Sequence, residues 1–132
     1  MDTAEELFKQ GMKYNLASGQ TYHPAVARGF FQKAAGMNHP DATRCFALML
    51  YEGSGGAKDF KTAVKLLGKG YLKYRDREAW NCLIDMLEEE IDRQDSIFNK
   101  ADLKMLLQQL ALLDKTSTDV RKNLGVLVNT NL

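Results

Sequence analysis

The sequence of 132 residues contains few of the residues that cross-link, interrupt or strongly charge a protein. Its two cysteines are too few for a disulfide framework, and they lack the CxxC spacing of zinc and redox sites. Its two prolines leave room for long uninterrupted elements. Eighteen basic and seventeen acidic residues give a formal charge of +1, so the usual electrostatic argument for a nucleic-acid or acidic-membrane binder is absent.

Long apolar runs are missing as well. No stretch approaches the ~18 apolar residues that cross a bilayer, and the N-terminus is acidic where a secretory signal would be basic. The apolar share of 45% and the charged share of 27% are typical of one globular domain. We therefore expect a cytoplasmic domain in which Cys45 and Cys82 are reduced and buried.

Apolar residues recur at three- and four-residue spacing, and no period-two alternation is present, so the sequence predicts an all-α fold. Thr3 and Glu6 form a capping-box pattern that opens a first helix ending near Ala17. Six further helices are predicted, and their start signals are Pro24, His39-Pro40-Asp41, Asp59, Asp76, Asn99 and the segment 115–118.

The predicted helices repeat at an interval of 36 residues. This offset places Gly11 on Ala47, Ala27 on Ala63 and Ala34 on Gly70, so small residues coincide with small residues. It also superposes Tyr14 on Leu50, Phe30 on Leu66, Lys33 on Lys69 and Gly19 on Gly55. A period of this length that holds two helices is typical of a helical-hairpin solenoid, because one hairpin cannot bury its own apolar face.

One stretch resembles the Sel-one-like repeat, a relative of the tetratricopeptide repeat. The matching residues are Ala42, Phe46, Ala47, Leu50, Gly53, Gly55, Gly56, Asp59, Ala63, Leu66 and Lys69. The stretch from Phe31 to Ala42 is similar to the family's junction between one repeat and the next. The resemblance covers roughly residues 4 to 80 and decays beyond them, where Glu88-Glu89-Glu90 replaces the glycine loop.

The resemblance implies an α/α solenoid of two to three antiparallel helical hairpins. The repeats would span about 4–39 and 40–75, with a divergent third at 76–114 and a capping helix at 116–132. Family members are mostly adaptors without shared catalytic machinery, and the first helix of each pair lines the inner face. We therefore expect no enzymatic activity and no cofactor.

The expected partner-binding stripe follows positions i, i+4 and i+7 of each first helix. Its residues are Phe8, Met12, Asn15, Arg44, Leu48, Tyr51, Asn81, Asp85 and Glu88. Arginine and tyrosine often dominate binding energy, and methionine adapts to varied partners. The alternative for the apolar positions is packing against an adjacent hairpin.

Other polar features favour structural interpretations. Lys61, Lys65, Lys69 and Lys73 form a basic strip that is expected to be a solvated face, as is the acidic run from Asp85 to Asp95. The loop Gly53–Gly56 lacks the flanking residues of a phosphate cradle, which favours a hairpin turn. His23 and His39 have no second metal ligand at helical spacing, so we expect no metal site.

The sequence thus predicts a protein–protein interaction module that binds another protein or peptide and does not bind nucleic acid or membrane. The alternative is an immunity- or antitoxin-type inhibitor that neutralises a partner enzyme by tight binding. Self-association as a weak homodimer through residues 99–128 is a further possibility beside a monomer.

Overall fold

The computed structural model describes residues 2–15 and 22–113, and this part of the chain folds into six α-helices. They are α1 (Ala4–Asn15), α2 (Pro24–Gly36), α3 (Pro40–Glu52), α4 (Phe60–Tyr74), α5 (Arg77–Asp92) and α6 (Lys100–Leu113). The described residues contain no β-strand, so the prediction of an all-α fold is confirmed for them. Ala17, Gly19 and the predicted capping helix at 116–132 lie outside the described residues.

The helices begin at the capping residues that the sequence indicated. Thr3 and Glu6 exchange side-chain to backbone hydrogen bonds of 3.2 Å at the start of α1. Asp59 accepts from the backbone N–H of Thr62 before α4, and Asp76 accepts from that of Glu78 before α5. Two further caps are His39, whose Nδ1 accepts from Ala42 N–H at 3.0 Å, and Asn99, which accepts from Ala101 N–H at 2.9 Å. Pro24 and Pro40 are the first residues of α2 and α3.

The glycine loop ends α3 as a turn, as predicted. Gly53 adopts a left-handed conformation with φ 74° at the C-cap, a conformation that costs glycine little. Arg28 of α2 fastens this loop by donating hydrogen bonds to the carbonyl oxygens of Ser54 at 3.3 Å and Ala57 at 2.9 Å. The loop after α3 is therefore held against α2.

Each helix packs on the next along the chain, and α3 also contacts α5. The largest apolar cluster joins α3, α4, α5 and α6. Small residues lie where helices approach closely, and Ala27, Ala42, Ala47 and Ala63 are fully buried. Because an alanine side chain adds little beyond the backbone surface, it permits this close approach. None of the described helices is long and apolar enough to cross a membrane.

The helix starts repeat with the predicted spacing. Counting from Ala4 to Pro40, and from Pro24 to Phe60, the offset is 36 residues in both cases. From α3 to α5 it is 37 residues and from α4 to α6 it is 40. Burial follows the same offset, because Ala34 and Gly70 are both buried while Lys33 and Lys69 are both exposed. The 16-residue α5 is longer than the 13-residue α3.

Candidate functional site

The expected stripe on α1 is exposed at its centre. Met12 is 40% exposed, whereas Phe8 and Asn15 are half-buried. Phe8 packs against the ring of Phe31 with a centroid separation of 5.8 Å and stacks on His39 at 4.6 Å. Met12 therefore offers apolar surface, while Phe8 contributes to packing between α1 and the start of α3.

On α3 the stripe divides between surface and core. Arg44 and Leu48 are half-buried, but Tyr51 is only 8% exposed. The expectation that Tyr51 lies on an exposed face is wrong. Its ring packs against Phe60 of α4 at 5.9 Å, and its hydroxyl lies 3.4 Å from a carboxylate oxygen of Glu90 on α5. Tyr51 is buried because it lies at the edge of the apolar stripe of α3, and this edge faces α4 and α5.

On α5 the predicted residues are all at the surface: Asn81, Asp85 and Glu88 are exposed. They lie on the side of α5 opposite the buried residues Ala79, Leu83 and Leu87. The acidic end of the predicted stripe is therefore accessible to solvent.

Two equivalent contacts align these helices. Arg44 donates to Asp41 at 2.8 Å and forms an ion pair with Asp76, the residue that caps α5. Burial lowers the pKa of Arg44, but the charges of Asp76 and Asp41 outweigh it, so the net pKa is raised and the guanidinium stays charged. Phe8, 36 residues earlier, stacks on His39, the residue that caps α3.

These contacts join corresponding positions of α1, α3 and α5. We name the set of corresponding residues the first-helix face. It consists of Phe8, Met12, Arg44, Leu48, Asn81 and Asp85. Its apolar part lies on α1 and α3 and its acidic part on α5, so it offers both apolar contact and negative charge.

The sequence interpretation missed two acidic members of this side. Glu52 of α3 and Glu89 of α5 are both exposed. The less-buried side of α3 runs through Asp41, Cys45, Leu48 and Glu52, at the spacing i, i+4, i+7 and i+11. The predicted stripe steps three residues from Leu48 to the buried Tyr51. A step of four residues would have reached the exposed Glu52 instead.

The two cysteines occupy matching positions, Cys45 on α3 and Cys82 on α5, and both are free and half-buried. Burial is the main cause that raises the pKa of each thiol. A raised pKa keeps the thiol protonated at neutral pH and hence poorly nucleophilic. Among the described residues, no three histidine, cysteine or acidic side chains are grouped to hold a metal ion.

The lysine strip on α4 is largely solvated, as expected, because Lys65, Lys69 and Lys73 are exposed. Lys73 donates a hydrogen bond of 3.0 Å to Asn38. The acidic run does not follow the expectation throughout, since Glu90 is only 6% exposed. The composition of the acidic run does not indicate which of its glutamates is buried.

Glu90 lies in a cavity of about 220 Å³ between the loops that follow α3 and α5. The cavity is lined by Tyr51, Lys58, Phe60, Glu90, Arg93, Asp95, Ser96, Ile97 and Phe98. Ser96 donates a hydrogen bond of 2.6 Å to Glu90 Oε1. Burial, followed by the charges of Glu89 and Glu90, raises the pKa of Tyr51 to about 12, so its hydroxyl remains a neutral donor.

Comparison with protein-family models, with curated proteins and with solved structures finds no match to this chain. The resemblance to the Sel-one-like repeat therefore remains a prediction from the residues. The all-helical fold and the geometry of the first-helix face are the observations from which a function is inferred.

Proposed function

We propose that this chain is a protein–protein interaction module, built as a short α/α solenoid of the Sel-one-like type, that binds a partner segment on the first-helix face. It acts by binding, without chemistry of its own. The regular helix starts and the paired burial at an offset of 36 residues support a repeated hairpin.

The observation that carries the proposal is the pair of contacts Phe8–His39 and Arg44–Asp76. Each joins one helix of the series α1, α3 and α5 to the cap of the next. This supports a surface on which the three helices would present equivalent residues side by side. A partner segment lying across them would meet Met12, then Leu48, then Asp85. Because helices hold these side chains in place before binding, little conformational entropy is lost on association.

The charge of the surface indicates the kind of segment it fits. Asp85, Glu88, Glu89 and Asp92 are exposed along α5. Apolar surface on α1 and α3 followed by carboxylates on α5 suits a segment with apolar residues at one end and basic residues at the other.

The test is affinity capture from the native host with matched charge variants. Met12→Lys with Asp85→Lys raises the net charge of the first-helix face by three. Gln32→Lys with Asp102→Lys adds the same charge at exposed positions of α2 and α6. We expect the first variant to lose the partner and the second to retain it, with both unfolding at the temperature of the wild type.

Two results would separate or reject the hypotheses. Retention of the partner by the Met12 and Asp85 variant, or equal loss by both variants, would contradict binding on this face. Recovery of one stoichiometric enzyme whose activity the chain inhibits would favour the alternative, an immunity-type inhibitor. The acidic residues of α5 would also suit contact between such an inhibitor and a basic enzyme.

A further inference from the structure

We propose that the cavity around Glu90 is a specificity pocket that receives a cationic side chain, arginine or lysine, from the bound partner. This inference rests on the proposed function and deepens it, since it states which residue type the partner segment must carry. The pocket lies at the end of α3 and α5 where the acidic part of the surface begins.

The donors to one oxygen of the buried Glu90 carboxylate lie at long distances. Oε1 of Glu90 receives a short hydrogen bond from Ser96. At Oε2 the donors are the Tyr51 hydroxyl at 3.4 Å and Arg93 Nη1 at 3.6 Å. Charge-assisted hydrogen bonds are shorter, about 2.7–2.9 Å for a nitrogen donor. Oε2 therefore retains capacity for a stronger donor although Glu90 is only 6% exposed.

Apolar side chains form walls of the cavity beside the Glu90 carboxylate. Phe60 and Phe98 lie against each other with ring centroids 4.6 Å apart and line the cavity with Tyr51. Long cationic side chains bury their methylene groups against such surfaces, and their charged groups are attracted to aromatic faces. A cavity of about 220 Å³ has room for one such side chain.

The residues at the opening of the cavity add apolar surface and negative charge. Ile97 lines the cavity and is 90% exposed, so it presents apolar surface at the opening. Asp95, also exposed, adds a second carboxylate. Glu89 lies close enough to influence Tyr51 electrostatically, so the pocket continues into the acidic surface of α5.

Two cations of the chain line this site: Lys58, which is exposed, and Arg93, which is paired with Glu90 and is the internal competitor. Its guanidinium lies 3.6 Å from Glu90 and 3.4 Å from Asp95, beyond the length of a normal hydrogen bond in both cases. It is half-exposed on the loop after α5. Removing the positive charge of Arg93 should therefore strengthen binding of an external cation. Removing the negative charge of Glu90 should weaken that binding.

The experiment titrates the isotopically labelled full chain with small probes and follows backbone amide shifts by NMR. The probes are N-acetylarginine amide, N-acetyllysine amide and the uncharged N-acetylcitrulline amide. We expect both cationic probes to shift the amides of residues 90–98, and the citrulline probe to leave them unchanged. Comparing the two cations then shows which side chain the pocket prefers.

The variants give effects of opposite sign. Glu90→Gln should weaken binding of the cationic probe about tenfold or more, and Arg93→Gln should strengthen it about threefold. Glu78→Gln, which removes an exposed carboxylate from the opposite end of α5, serves as the matched control and should change affinity less than about twofold. If Glu90→Gln does not fold, the Arg93 variant and the citrulline probe still decide the question.

Absence of binding by both cationic probes, equal binding of the citrulline probe, or weakening by Arg93→Gln would overturn the pocket. None of these outcomes depends on the partner. If the cationic probes do not bind but the Met12 and Asp85 variant loses the partner, the pocket is rejected and binding on the first-helix face is retained. If the probes bind but that variant keeps the partner, the pocket is retained and binding on the first-helix face is rejected.

Discussion

Phe8 and Arg44 occupy the same position in successive first helices, 36 residues apart, and each contacts the residue that caps the following first helix. Phe8 does so by stacking on His39, and Arg44 by an ion pair with Asp76. The chemistry differs while the geometry is retained. An aromatic residue in α1 and a cation in α3 therefore make contacts with the same pair of positions.

The contact between Arg44 and Asp76 should be measurable as a coupling free energy. Both side chains are largely shielded, with exposures of 22% and 13%, so their attraction is screened less than at the surface. We expect a double-mutant cycle with Arg44→Met and Asp76→Asn to give a coupling of about 1–2 kcal/mol in urea unfolding. Arg44→Glu should destabilise further, because it faces two carboxylates. A coupling near zero would show that the pair does not hold α3 to α5.

Tyr51 should behave as a core residue. Tyr51→Ala removes a ring packed against Phe60 and is expected to lower the free energy of unfolding by about 3 kcal/mol. Tyr51→Phe keeps the ring and should cost about 1 kcal/mol at neutral pH, since the polar contacts of the hydroxyl, among them its long hydrogen bond to Glu90, are lost. Chemical denaturation of the three proteins checks both values. Equal stability of the alanine variant and the wild type would contradict the burial of this residue.

Two glycines provide a matched pair of substitutions. Gly55 has φ +75°, and a Cβ there would overlap the backbone carbonyl of Pro24, so Gly55→Ala should destabilise by at least about 2 kcal/mol. Gly29 lies within α2, and a Cβ there would meet nothing within 4 Å. Gly29→Ala should therefore stabilise by about 0.5–1 kcal/mol. Thermal unfolding should show shifts of opposite sign, and shifts of the same sign would reject this assignment.

The cap of α4 should make stability depend on pH in the acid range. The Thr62 hydroxyl at 2.6 Å and its backbone N–H at 3.0 Å donate to Asp59 and lower its pKa from the ordinary 3.8. Because the folded state favours the ionised carboxylate, this stabilisation is complete well above pH 3.8 and is lost as the pH falls through the lowered folded pKa.

Asp59→Asn is the variant that tests this cap, since asparagine also caps helices but does not titrate. The difference in free energy of unfolding between wild type and variant should be constant above about pH 5 and shrink as the pH falls towards 2. Urea unfolding at a series of pH values measures it. A difference that is the same at all pH values would contradict the assignment.

Local signals determined the helices. Caps such as Asp59 and Asp76, the prolines at the first helical turns and the glycine after α3 act over three or four residues, so their effect can be read from the sequence directly. The small residues Ala27 and Ala63 likewise indicated close helix contacts, because only a small side chain permits them.

The tertiary structure decided which side of each helix is covered. Tyr51 and Glu90 are 39 residues apart, and each looked like a surface residue because its burial depends on the other and on Phe60. Periodicity reports that a helix has an apolar side, but the edge of that side is set by the neighbours that pack on it. The exposed stripe, the buried carboxylate and the pocket between them therefore arise from the packing of α3 on α5, which no local pattern contains.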